Sequence, residues 1–216
     1  MTVILERSDN DTSRWSTTTI VALLVAVAIL AAGAGYLLRG LQTPGPDSVD
    51  VGFARDMSEH HRQAVEMARL LYNRSDDEIM RSLAYDIMLT QQGQIGIMTG
   101  TLSAWDHPIS DLGPRMTWMG MNVEGLMPGM ATREQMGALA AADGVEAEII
   151  FLQLMIAHHV SGVDMARAAA ENAQTDIVRR LAHSMAEAQD SEIRFMQELL
   201  AERGAEPVPV EPAGAG

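Results

Sequence analysis

Two histidines stand side by side in MSEHHRQAVEMAR, Met57 to Arg69, and again in MIAHHVSGVDMAR, Met155 to Arg167. The second phrase lies 98 positions after the first, and seven of its 13 residues are identical. Four of the six histidines in the chain fall in these phrases, each pair preceded and followed by methionine. Imidazole nitrogen and thioether sulfur are donors that suit Cu(I), and Ag(I) by the same softness. Carboxylates suit harder ions, and di-iron helical bundles use Glu-x-x-His. Here the residue three before His60 is Met57 and three before His158 is Met155, so sulfur stands where that signature has an acid. Zinc prefers histidine with cysteine or carboxylate, and the chain has no cysteine, which also excludes disulfides and thiol catalysis.

On a helix at 100° per residue, Met57, His61, Ala64 and Ala68 share a face, with His60 and Met67 on its flank. The second copy gives Met155, His159, Gly162 and Ala166, flanked by His158 and Met165. Small residues on both faces let two such helices come close. The two clusters then either approach one another across an approximate twofold or line opposite ends of the fold. A methionine alone reads as core filler, and a lone histidine as a satisfied core or surface residue. Adjacent histidines point 100° apart, which is a poor packing solution, and here the pair recurs in register.

The similarity extends well beyond these phrases. Asp50 matches Glu148, Phe53 matches Phe151, Gln91 matches Gln189, Ile95 matches Ile193 and Met98 matches Met196. Each copy is interrupted near its middle, at Asn73 to Glu78 and at Asn172 to Asp176, so each is a helical hairpin: 48–73 with 75–104, and 144–172 with 175–203. Ser75 and Glu78 form an expected capping box, Asp143 with Glu146 an expected cap, and Thr132 with Gln135 opens a short helix. Two amphipathic hairpins bury their apolar faces against each other as an all-α, ferritin-like four-helix bundle over residues 48–203. The crossover 105–131 carries Met116, Met119, Met121, Met127 and Met130 around Trp118. It reads either as a soft-ion net with Trp118 over a bound cation or as an apolar cover folded onto the bundle. Asp50, Glu148 and the unmatched His183 are further candidate ligands.

Ahead of the bundle, Ile20 to Leu38 carries no charge, which is about the length of a membrane-crossing helix. With Trp15 and Tyr36 at its ends, residues 15–39 read as a transmembrane anchor. The other reading is a cleaved signal segment with Ala32-Gly33-Ala34 as its site, but the apolar run is long for that. Arg14 and Arg39 balance, so orientation rests on the tendency of an N-terminal anchor to export the chain beyond it. This places the bundle outside the cytoplasm on a single-pass anchor, or secreted if the segment is removed. Residues 1–14 and 204–216 read as disordered ends and 40–47 as a linker. A net charge of −14 argues against nucleic acid.

Asp-x-x-Phe followed by Met-x-x-His-His and Met-Ala, given twice, resembles the CopM-like family, long catalogued as a domain of unknown function. Glu148 replaces the usual aspartate in the second copy. The resemblance implies exported ferritin-like bundles, some of which bind copper and silver in copper tolerance. It implicates Met57, His60, His61, Met67, Met155, His158, His159 and Met165. The reading is a copper buffer or tolerance protein and not an enzyme, with the metal ion, the membrane and a copper-handling protein or a second copy as partners. A ferritin-like oxidase and a metal-free structural or partner-binding bundle are the other readings.

Overall fold

A chain rich in alanine, leucine, methionine, glutamate and arginine propagates helices well, and helices account for nearly all of its regular structure. The computed structural model describes residues 16–110 and 112–208. The expected disordered N-terminus 1–14, the interfacial Trp15 and residues 209–216 of the expected tail lie outside the described residues. Among the described residues there are six α-helices: α1 (Thr17–Gln42), α2 (Val49–Tyr72), α3 (Glu78–Ala104), α4 (Arg133–Ala141), α5 (Gly144–Asn172) and α6 (Asp176–Glu202). They also include a 3-10 turn at Thr117–Met119, and no strand beyond one isolated bridge between Arg115 and Val123.

Helix α1 belongs to a unit of its own, Met1–Thr43. Its Thr17–Tyr36 stretch has a mean hydropathy of 2.3 and no buried residue. Such a helix is long and apolar enough to cross a bilayer. Helix α5 also contains a stretch apolar enough to cross a bilayer, but 72% of that stretch is buried, so there the apolar residues are core.

The second unit is the bundle. Helix α2 pairs with α3, α5 pairs with α6, and the hairpins meet along α2 and α5, with α4 against both. This is the expected pair of hairpins joined by a long crossover. The caps differ in detail from expectation. Asp77, not Ser75, caps α3, because its carboxylate reaches the Ile79 and Met80 N–H groups. Thr132 and Gln135 form the expected capping box, whereas Asp143 makes no side-chain bond at the start of α5.

Asp50 and Glu148 each fasten the turn of the opposite hairpin. Buried Asp50 accepts from the Gln174 and Thr175 N–H groups at 2.7 and 2.9 Å and from the Thr175 hydroxyl at 2.5 Å. Glu148 accepts from the Ser75 hydroxyl at 2.5 Å and from Arg203 at 2.7 Å, and Arg203 also pairs with Asp77. Their oxygens are thus engaged by the protein's own donors. Each acid lies ten residues before the first histidine of its copy, about 15 Å along the helix. Asp50→Ala strands three donors and is expected to lower the unfolding free energy by about 3 kcal/mol in urea denaturation. The exposed control Glu187→Ala is expected to change it by less than about 0.5 kcal/mol.

Candidate metal centre

The tandem histidines meet where α2 crosses α5. The rings of His60 and His158 lie face to face, 3.7 Å between centroids and 32° apart in plane. His60, His61 and His159 are 0% exposed and His158 1%. A ring with no access to water gains by placing its N–H on an acceptor, and the Nε2 of each of the four lies against an oxygen. His158 donates to the backbone oxygen of His60 at 2.9 Å and His159 to the Glu192 carboxylate at 2.7 Å. His60 reaches the Pro128 carbonyl at 3.3 Å and His61 the Gln94 amide oxygen at 2.8 Å. A carbonyl or carboxylate oxygen only accepts, so at His60, His158 and His159 the proton sits on Nε2 and the lone pair on Nδ1, whereas the Gln94 carboxamide can turn its NH2 to the ring and allows His61 both tautomers. All four Nδ1 atoms are buried with no hydrogen-bond partner. This is how metal-binding imidazoles are prepared: one nitrogen donates to an oxygen and the other is left to ligate.

The same layer holds two more unsatisfied groups. Gln91 and Gln189 are buried at 3% and 4% exposure, with both polar side-chain atoms of Gln91 and Oε1 of Gln189 unpartnered. Gly162 leaves the space that the Gln189 carboxamide fills, and a Cβ there would push that carboxamide aside. Among the described residues, no three or more His, Asp or Glu side chains converge as a metal cage. The donors left over are imidazole nitrogens and thioethers.

Those thioethers sit on both sides of the histidine layer. Met57 and Met165 share one apolar cluster with Met98, Met116, Met127 and Met185. Met67 and Met155 share the other with Met80 and Met196. The antiparallel crossing therefore pairs the methionine before one His-His with the methionine after the other.

The crossover lies down as an apolar cover. Met116 and Met127 are buried, and Met119, Met121 and Met130 are half-buried against the same cluster as Met57. One face of α2 straps it. The Asp56 carboxylate accepts from the Met116 N–H at 2.7 Å and the Trp118 indole at 2.8 Å. Glu59 pairs with Arg115 at 3.1 Å. Gln63 makes two bonds to the Ala131 backbone. Met116 is held with φ at 61°, where side-chain-bearing residues are rare. Gly129, at φ 73°, passes so close to Ala157 of α5 that a Cβ would overlap its carbonyl. Trp118 packs edge-on to Phe53 at 5.8 Å. Burial pushes the Asp56 carboxyl up, opposed by its two N–H donors.

His183 stands apart from this centre, exposed on α6 with Nδ1 3.4 Å from Glu187. Sequence reasoning missed Gln94 and Glu192. Each stands three residues after the matched Gln91 or Gln189, on the same helix face. They are not identical to each other, so matching the two copies residue by residue passes over them.

Burial lowers the pKa of His60 to about 4 and of His61 to about 3, and it holds His158 well below the ordinary imidazole value. The neighbouring histidines add to the effect at each. The unfolded chain therefore binds more protons than the native one below about pH 6.5, and stability falls as pH falls. The urea midpoint is expected to be flat above about pH 7 and to drop steadily from about pH 6.5 towards pH 4. A flat midpoint across that range would contradict neutral buried rings.

Comparison with known proteins places these features in a family. Residues 50–200 match the model described as "Domain of unknown function (DUF305)". A DUF305 protein from Streptomyces coelicolor, provisionally described as secreted, is 51% identical, with a TM-score of 0.73 over 76% of this chain and 99% of that one. A DUF305 fragment from Deinococcus radiodurans is 32% identical, with a TM-score of 0.61 over 71% and 96%. CopM in its Cu(II)-bound form is 25% identical, with a TM-score of 0.58 over 71% and 96%. Its Cu(I)-bound and silver-bound forms, at 23% identity, share the fold. No curated protein matches the chain.

Proposed function

The chain belongs to the DUF305 family, and from that premise we propose that it is a membrane-anchored, extracytoplasmic protein that binds Cu(I), and Ag(I) by the same chemistry, in copper buffering or tolerance. The observation that carries this reading is the set of four buried Nδ1 atoms without partners, between two methionine clusters. His60, His61, His158 and His159 are the nitrogen donors of the reading. Met57, Met67, Met155 and Met165 are its sulfur donors, with Met116, Met119 and Met121 of the cover as further thioethers of the reading. The apolar helix α1 supports the anchor, and the Streptomyces coelicolor relative supports export. CopM, which shares the fold, is known in Cu(I)-, Cu(II)- and silver-bound forms. The ion is cargo, so the protein's work is to present soft donors and exclude water.

Softness favours this assignment over zinc or iron. A buried neutral imidazole and a thioether bind without releasing a proton, so protons compete little above the depressed pKa values. A low-coordinate monovalent ion needs few donors, in keeping with the lack of a His/Asp/Glu cage among the described residues.

The test is Cu(I) titration of the full chain in detergent, anaerobically, against a competing chromophoric chelator, with Zn(II) titrated in parallel. The Met57→Leu/Met155→Leu variant keeps the core volume. It is expected to lose at least about tenfold in Cu(I) affinity, on the scale of one lost interaction, with zinc binding unchanged. Equal losses for both ions would remove the thioethers from the reading. Failure of the wild type to compete with the chelator would leave a metal-free bundle.

A further inference from the structure

The two halves of the histidine layer look duplicated, yet they differ at one atom that matters for a metal. His61 rests on a carboxamide, Gln94, and His159 on a carboxylate, Glu192, at the same offset in the two copies. The Glu192 side chain is 25% exposed while the His159 ring is fully buried. It is the one carboxylate hydrogen-bonded to the four histidines among the described residues.

The two partners constrain their histidines differently. A carboxylate has no proton to give, so it fixes the His159 proton on Nε2 and keeps the lone pair on Nδ1. A carboxamide can turn by about 180° and present its NH2 instead, so Gln94 permits either tautomer of His61. A carboxylate partner also raises the donor strength of the opposite nitrogen. Glu192 further brings one negative charge next to a buried site, where a bare monovalent cation is costly.

We infer that Glu192 is a positioning residue that makes His159, in the α5–α6 half of the centre, the nitrogen donor that loads first, with His61 the later, weaker donor. This step rests on the metal-binding reading and adds an order to it. Gln94 is the neutral counterpart that keeps the α2–α3 half adaptable.

The experiment is nitrogen-15 NMR of the histidine rings in the full chain in detergent micelles, first without metal and then with silver nitrate. Wild type, Glu192→Gln and Gln94→Glu are compared, with circular dichroism confirming that each is folded. Without metal, His159 is expected to be wholly the Nε2–H tautomer and His61 a mixture. Glu192→Gln gives His159 the mixture, and Gln94→Glu fixes His61. With silver, the Nδ1 signal of His159 is expected to shift before that of His61. Glu192→Gln is expected to abolish that order and to weaken the first step by about 10- to 100-fold, the usual effect of removing such a partner. Gln94→Glu supplies a second reading if Glu192→Gln does not fold, since it is expected to bring His61 level with His159. Silver binding with the same order in all three proteins would overturn the inference alone. A doubly protonated His159, or His61 shifting first in the wild type, would also overturn it. Silver binding in none of them would overturn the metal reading and this inference with it.

Discussion

Four imidazoles buried at one helix crossing set the terms for everything around them. None can reach water, so each ring settles with Nε2 against an oxygen. The structure supplies those oxygens from four different places: the α2 backbone at His60, the crossover at Pro128, α3 at Gln94 and α6 at Glu192. Every layer of the bundle therefore converges on the same few side chains. Satisfying Nε2 four times leaves Nδ1 unsatisfied four times. In a purely structural core that remainder is a standing cost, since buried polar groups without partners destabilise. In a core that receives a soft cation it is the binding capacity.

The surrounding elements hold that layer in place. Asp50 and Glu148 tie each hairpin to the turn of the other, so the α2–α5 crossing is fixed at both ends. The crossover is strapped along α2 by Asp56, Glu59 and Gln63, which share a face with His60. Its methionines seal one side of the layer with polarizable side chains that adapt to irregular space. The cover is also the part of the bundle that touches a histidine through a single long bond, His60 to Pro128 at 3.3 Å.

Much of this was legible in the sequence. The 98-residue offset implied two hairpins, and the hairpins implied the bundle with its helix bounds to within a few residues. The rings of His60 and His158 come face to face, one of the two arrangements that the small residues on both helices allowed. The rest depends on contacts between distant segments. Two acids matched across the copies look the same whether they ligate metal or clamp a turn, because duplication preserves both. Only the partners of Asp50 and Glu148 show which donors they face. The five crossover methionines carry no periodicity, so net and cover read alike until Asp56 is seen to fix Met116 and Trp118. Gln94 and Glu192 differ from one another, and residue matching is blind to a difference that is itself informative.

The measurement that bears most directly on this account is X-ray absorption at the copper edge of the full chain loaded anaerobically with one equivalent of Cu(I). The account predicts a low-coordinate ion with imidazole nitrogen and thioether sulfur in its first shell. A shell of oxygen and nitrogen without sulfur, or one lacking the outer scattering of imidazole rings, would contradict it.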